Sequence, residues 1–229
     1  MARPAGHGIG FETRRQEIID TAAALFARSG YAGIGIAEIG KEVGLGKGAL
    51  YYYISSKENL LVEIQGRVLR PLLRSARRID ELNEAPVLKL RLLSETLLEM
   101  ILWRLDHIWV YEHDYRHLQG ENLSRFLRQR GEFEAIVRSL LEAGMETGAL
   151  RSMDPQLATL QFLNLHNHTY QWGHPGGEWD AARLAQEYCA TLIFGLGQNN
   201  ANLDELEEQV RDFRSRYNGP TLMAHERND

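Results

Sequence analysis

Histidine is the residue type in this chain whose number first invites chemistry. Six of the eight histidines lie between His107 and His174. His113 and His117 are four apart with Asp114 between them, a spacing that brings two imidazoles to one helix face and can hold a metal. His166 and His168 are two apart and diverge on a helix. The chain contains neither His-Glu-x-x-His nor Glu-x-x-His, so neither a metalloprotease nor a di-iron bundle is supported. Locally hydrogen-bonded histidines are the expectation, with no metal and no cofactor. The single cysteine, Cys189, excludes an intramolecular disulfide and a cysteine cluster. It sits between Tyr188 and Ala190 in an apolar stretch and is expected to be packed rather than nucleophilic. Gly-x-Ser-x-Gly, phosphate-loop and dinucleotide motifs are all missing from the sequence, so no catalytic residue is assigned.

A second cluster has a different chemistry. In "GLGKGALYYYISSKENLL", Gly44 to Leu61, three tyrosines stand in a row. Successive helical residues point about 100° apart, so Tyr51, Tyr52 and Tyr53 cannot share one core. Leu50 and Ile54 are four apart and supply the core stripe, which frees tyrosines for a partner. Gly46 and Gly48 let the backbone approach a surface closely. Free N–H groups at a helix start suit phosphate oxygens. Lys47 can neutralise a phosphate or donate to a guanine edge, and Ala49 is small enough to meet a thymine methyl. Phenols can lay rings on sugars and donate to phosphates.

The elements that position these residues read as helices throughout. Apolar residues recur at three- and four-residue spacing and no segment alternates with period two. A first helix starts near Thr13, its expected cap, with Ile18, Ala22, Leu25 and Phe26 on one face, and ends at Gly30. Short helices follow at about 36–43 and 47–54. "SSKE" reads as a capping box, Ser55 reaching forward and Glu58 back, opening a helix over about 56–79. Pro71 inside it predicts a kink near Arg67–Pro71. Further helices are expected at 86–105, 107–118, 121–147, 155–172, 180–197 and 202–217. Residues 1–12 and 218–229 are expected to be mobile tails.

Formal net charge is −5, which argues against wholesale nucleic-acid binding. Residues 1–60 carry seven Lys/Arg against six Asp/Glu, whereas the remainder is acidic. The first quarter is therefore the part least repelled by a polyanion. No apolar run reaches the length of a membrane span, and "MARPAGHGIGFETRR" has no apolar signal-peptide core. A cytoplasmic protein is expected.

Three short helices with a glycine turn between the second and third form a helix-turn-helix pattern. "AAALFARSGYAGIGIAEIGKEVGLGKGALYYYISSKENLL" resembles the DNA-binding domain of the TetR family of bacterial regulators, and the resemblance continues more loosely to the end. It implies an all-α fold: a helix-turn-helix domain over 13–60 and a helical ligand-binding and dimerisation domain over 61–217. It implies a homodimer that binds double-stranded operator DNA and a small-molecule effector. Tyr51, Tyr52 and Lys57 become backbone clamps. Gly35 stands where the family usually has a phosphate-touching Thr, Gly40 where it has Ala, Gly46 where it has a capping Ser or Thr, and Ile54 where it has Phe. The expected DNA-binding set is Gly35, Gly46, Lys47, Gly48, Ala49, Tyr51, Tyr52 and Lys57.

The last long helices are the expected dimer interface, through Leu184, Tyr188, Thr191, Leu192 and Gly195. "HTYQWGHPGGEWDAARLAQEYCATLIFGL" is similar to members that govern fatty-acid and sterol-ring breakdown and respond to acyl-coenzyme A thioesters. From Ser152 to Ala182 there is no Lys or Arg, so phosphate donors would have to come from Arg104, Arg116, Arg125, Arg128 or Arg130. An uncharged lipid or drug fits equally. Pocket aromatics are expected among Trp103, Trp109, Tyr115, Phe126, Phe133, Phe162 and Tyr170, together with His166. The expected function is a ligand-released repressor of lipid catabolism. The alternatives are an activator of the same architecture, or a regulator of efflux or detoxification responding to an uncharged hydrophobic compound.

Overall fold

The computed structural model describes residues 9–196, 203–219 and 222. Ten α-helices run through them: α1 Ile9–Gly33, α2 Ile36–Glu42, α3 Lys47–Tyr53, α4 Lys57–Asp80, α5 Pro86–Trp103, α6 Leu105–His113, α7 Gly120–Glu146, α8 Pro155–Asn167, α9 Ala181–Leu196 and α10 Leu203–Arg216. Tyr115–His117 and His168–Gln171 form short 3-10 turns. No strand forms among the described residues.

The chain divides into two compact units. The first holds the residues up to Val68 together with Asp106–Phe126, and the second holds Leu69–Leu105 and everything from Leu127 on. The chain thus passes from one unit to the other within α4, at the start of α6 and within α7. The segment Asp106–Phe126 belongs with the helix-turn-helix and not with the C-terminal helices, a membership that local periodicity does not reveal. Polar contacts tie the segment there: Gln65 Nε2 donates to the Val110 carbonyl at 3.1 Å and Tyr31 N to Asp114 Oδ2 at 3.1 Å. Asp20 on α1 lies 3.0 Å from Arg67 Nη1 on α4 and 3.2 Å from His107 Nε2 on α6. Burial pushes the Asp20 carboxyl up, but hydrogen bonds from His107 and Gln16 and the Arg67 charge outweigh it and hold the group below its usual value.

Two helix starts differ from expectation. α1 is already helical at Ile9, the first described residue and four before Thr13, and the Phe11 ring stacks on Tyr53 with centroids 4.9 Å apart. Residues 9–12 are therefore helix rather than tail. α4 is capped by Ser56, whose hydroxyl accepts from Asn59 N at 3.0 Å, so the cap lies one residue beyond Ser55. Glu58 turns away from the helix start and accepts from Asn122 Nδ2 at 3.0 Å and Gln119 N at 3.3 Å. α4 continues as one helix through Pro71, whose missing N–H leaves the Arg67 carbonyl without its intrahelical donor.

In the second unit α5 packs mainly against α9 and also against α8 and α10. Leu88 to Leu102 of α5 are buried almost without interruption, including Arg91, Ser94, Glu95 and Thr96. A helix buried all round needs partners on every side. Leu98 and Leu102 meet Ala181, Leu184 and Ala185 of α9.

Candidate nucleic-acid interface

The helix-turn-helix is positioned by a tight backbone turn. Gly44 takes φ +68 and Leu45 N donates to Gly40 O at 2.7 Å. A Cβ on Gly40 would lie 2.6 Å from the Leu45 carbonyl oxygen, so close packing explains glycine there. Arg14 of α1 donates to the Val43 carbonyl and fixes the same turn. Leu50 is fully buried, Ile54 nearly so, and Ile39 of α2 closes the core beneath them.

With Leu50 inside, the outward face of α3 is set. Lys47, Gly48 and Ala49 are exposed, Tyr51 is 41% exposed and Tyr52 is 65% exposed. Gly46, the N-cap, is extended at φ −66, ψ 156 and has no capping side chain. The first N–H groups of α3 therefore have no partner within the helix. Gly35 is the uncapped N-cap of α2. A Cβ on Gly35, Gly46 or Gly48 would meet nothing, so nothing inside the chain requires those glycines. Seven of the eight expected residues, all but Lys57, are exposed.

Tyr53 does not join it, being half-buried against Phe11. Phe11 also meets the Tyr52 edge at 5.4 Å, so α1 braces the aromatic run from behind. Sequence reasoning missed Phe11. A lone aromatic two residues before Thr13 was the available signal.

Lys57 is turned inward. Its ammonium donates to the Tyr31 carbonyl and lies 4.1 Å from the Tyr31 ring centre. Burial lowers its pKa, against the pull of Asp114. Tyr31 N donates to Asp114 Oδ2 at 3.1 Å, and the Tyr31 ring stacks on His117 at 5.0 Å. Lys57 therefore ties the start of α4 to the non-helical Gly30 bend of α1. Its expected task as a backbone clamp competes with that bond.

His113 and His117 do not form the metal pair that their spacing allowed. α6 ends at His113, whose Nδ1 meets the Trp109 carbonyl at 3.1 Å and whose ring stacks on Trp109. His117 belongs to the following 3-10 turn. Among the described residues no three His, Cys, Asp or Glu side chains group as a metal site would need.

The expected pocket residues divide between the units. Trp109, Tyr115 and Phe126 belong to the first, where Tyr115 stacks on Phe126 at 5.5 Å. Trp103, Phe133, Phe162, His166 and Tyr170 belong to the second. Trp103 is exposed beneath the Arg104 guanidinium, and Phe126, Phe133, Phe162 and His166 are packed inside. His166 is fully buried: Nδ1–H donates to the Phe162 carbonyl at 2.7 Å, so Nε2 accepts from the Ser94 hydroxyl at 2.6 Å. Burial lowers its pKa to about 4, keeping the ring neutral. Burial also pushes the Cys189 thiol up to about 11, which makes it a poor nucleophile.

Of the expected dimer residues, Leu184 is a correction. It is buried in the protomer's own core with Leu98 and Leu102, so it has no face to offer a second chain. Tyr188 and Leu192 are half-buried, and Thr191 and Gly195 exposed. The Tyr188 hydroxyl is bonded to Thr169 at 2.7 Å. Leu157 and Leu160 of α8, exposed by 56% and 46%, were not anticipated. They are three apart and lie on one outward face.

Comparison with known proteins agrees with this geometry. The family model described as bacterial regulatory proteins, tetR family, matches residues 18–64. A second, described as tetracyclin repressor-like, C-terminal domain, matches residues 83–196. The HTH-type transcriptional repressor KstR2 of Rhodococcus jostii is 29% identical over 195 residues, covering 84% of this chain and 96% of its own. The solved ketosteroid transcriptional regulator KstR2 of Mycobacterium tuberculosis is 25% identical with a TM-score of 0.77, covering 86% of this chain and all of its own. PfmR of Thermus thermophilus, a TetR-family regulator, is 28% identical with a TM-score of 0.71, over 79% of this chain and 99% of its own.

Proposed function

The chain belongs to the TetR family of bacterial transcriptional regulators, and from that premise we propose that it is a homodimeric repressor released from its operator by a small apolar effector. The observation that carries the DNA-binding part is the α3 surface. A fully buried Leu50 turns Lys47, Gly48, Ala49, Tyr51 and Tyr52 outward beside unpaired backbone N–H groups. Two copies would read half-sites about 34–36 Å apart or somewhat more. One lysine per reading head gives little counterion release, so shape and aromatic contact with the backbone carry much of the affinity.

The effector reading rests on similarity to repressors named KstR2, one of them described as a ketosteroid regulator. It takes the effector as an apolar acid carried as its coenzyme A thioester. Arg74 of α4 is exposed and would supply a cation for a phosphate. The Arg67–Pro71 stretch of α4 is where one unit's share of the helix gives way to the other's, and the missing hydrogen bond there suits a hinge. Taking an operator-competent state from 99:1 to 1:99 requires about 5.5 kcal/mol of differential binding.

The test is fluorescence anisotropy on DNA from upstream of its own gene. Sequence-specific binding is expected, with release by acyl-coenzyme A thioesters and not by coenzyme A alone. Binding indifferent to competitor sequence overturns the regulator reading. Release by the free acid or by an uncharged hydrophobe alone overturns the thioester reading. Pro71→Ala with unchanged induction removes the hinge.

A further inference from the structure

α10 lies beyond the residues matched by either family model, which end at residue 196. It is nevertheless seated by charge. Arg91 of α5, only 2% exposed, places Nε 2.6 Å from Glu207 Oε1 and Nη1 2.8 Å from Glu95 Oε2. Arg214 of α10 pairs with the other oxygen of Glu95. Leu206, Val210 and Phe213 are the buried stripe of α10. Between α5 and α10 a cavity of about 270 Å³ remains open. That is larger than the roughly 150 Å³ cavity that takes up benzene and close to the lower bound of small-molecule sites.

We propose that this cleft is a second ligand site, formed by the appended helix, which takes a small carboxylate on an apolar, ring-sized body. Leu92, Phe213, Leu222 and the Tyr217 ring supply apolar wall. Its polar side-chain groups are Glu95, Thr96, Arg214 and the Tyr217 hydroxyl. Their existing bonds decide what the ligand must bring. Both Glu95 oxygens already accept from arginines. The Thr96 hydroxyl donates to the Leu222 carbonyl. Arg214 uses one terminal nitrogen on Glu95 while its guanidinium stays 44% exposed. The charged donor capacity left over lies on Arg214, and an anionic acceptor is its match. A planar carboxylate matches a guanidinium fork better than an amide does. Arg91 and Arg214 balance Glu95 and Glu207, so an incoming anion meets a neutral network with its nearest free groups positive. Bound there, the ligand touches α5 and α10 together and holds α10 in place. Five of the eight wall residues lie at or beyond Phe213, so the site does not exist without the appended segment and does not depend on the effector reading.

Calorimetry of the full chain with 4-phenylbutyrate, 4-phenylbutanamide and 4-phenylbutylamine tests this. The acid is expected to bind about tenfold more tightly than the amide or the amine. Arg214→Gln should remove that preference while leaving amide binding in place. Leu92→Trp should fill the cavity and abolish binding of all three. Equal binding of acid and amide, no binding of the acid at millimolar concentration, or wild-type binding by Leu92→Trp overturns the proposal. Unmodified protein gives an independent reading: a diazirine-bearing phenylacetate, irradiated in place, should label peptides from 86–103 or 203–222. Label confined to other peptides overturns the proposal.

Discussion

α3 and α5 break the same rule in opposite directions. α3 holds large aromatic residues outside: Tyr51 and Tyr52 are exposed while Leu50 alone is buried. α5 holds charged residues inside: Arg91 and Glu95 are as buried as the leucines around them. Exposed apolar surface and buried charge both cost free energy unless a partner offsets them. For α5 the partner is in the chain, since α10 brings Glu207 and Arg214 to the buried pair. For α3 the described residues place Phe11 against Tyr53 and the edge of Tyr52, and leave much of Tyr51 and Tyr52 exposed. The difference separates a helix whose buried charges are paired by its own fold from one that leaves aromatic surface exposed.

The comparison breaks most severely at Arg91. Arg91→Met would leave Glu95 with one partner and Glu207 with none, and should cost about 3–5 kcal/mol in chemical denaturation. Adding Glu207→Leu should recover a good part of that, because the Glu95–Arg214 pair then stands alone and matched. A single variant as stable as the wild type would mean that α10 is not held by this network.

His166 offers a second way in, through pH. Its folded pKa of about 4 lies below the ordinary 6.5. The neutral ring is favoured in the fold, so its contribution is complete above pH 6.5. It is lost as pH falls through the window from 6.5 to about 4, and amounts to about 3 kcal/mol. His166→Gln should flatten that part of the stability–pH curve. An unchanged curve would place the acid sensitivity elsewhere.

How much of this contrast was legible in the sequence follows from range. α5 was legible as a helix because Ala85-Pro86 marks its start and apolar spacing fills it. Its buried charges were not: Arg91 and Glu95 at i,i+4 look like any surface pair, and Glu207 stands 116 residues away. The inner face of α3 was legible, since Leu50 and Ile54 define it within a single short helix, but the Phe11 brace against Tyr53 was not. The Ser55 cap failed by one residue because Ser56 offers the same hydroxyl. The Lys57 bond to the Tyr31 carbonyl was not legible, because its acceptor is a backbone atom at a bend. Leu184 failed because α9 has apolar residues on more than one face, and periodicity does not say which meets α5.

On the α3 side the expected effect lies in binding and not in stability. Lys47→Ala/Tyr51→Ala/Tyr52→Ala should weaken operator binding at least about a hundredfold. The salt slope should fall by about two, one lysine from each protomer. Thermal unfolding should stay within about 1 kcal/mol, because these side chains are exposed. Equal losses of binding and stability would mean that the aromatic run is core, and the contrast with α5 would collapse.

The smallest effects sharpen the comparison within the helix-turn-helix itself, where two glycines serve opposite ends. At Gly40 alanine brings a helix-propensity gain of about 1 kcal/mol, but its Cβ would lie 2.6 Å from the Leu45 carbonyl oxygen. That neighbour is backbone in a turn already closed by the Leu45 N–H to Gly40 carbonyl bond, so it yields only by opening the turn. Overpacking of this kind costs about 1–3 kcal/mol, and the clash should prevail, leaving Gly40→Ala less stable by about 1 kcal/mol. At Gly46 a Cβ meets nothing and the backbone already has the extended conformation of an N-cap. Gly46→Ser should therefore stabilise by a few tenths of a kcal/mol and add a hydroxyl beside the exposed N–H groups at the start of α3. Denaturant midpoints and operator titrations on the two variants should move in opposite directions. If Gly40→Ala proves the more stable protein, the turn is looser than the Leu45 contact implies, and close packing is not the reason for its glycine.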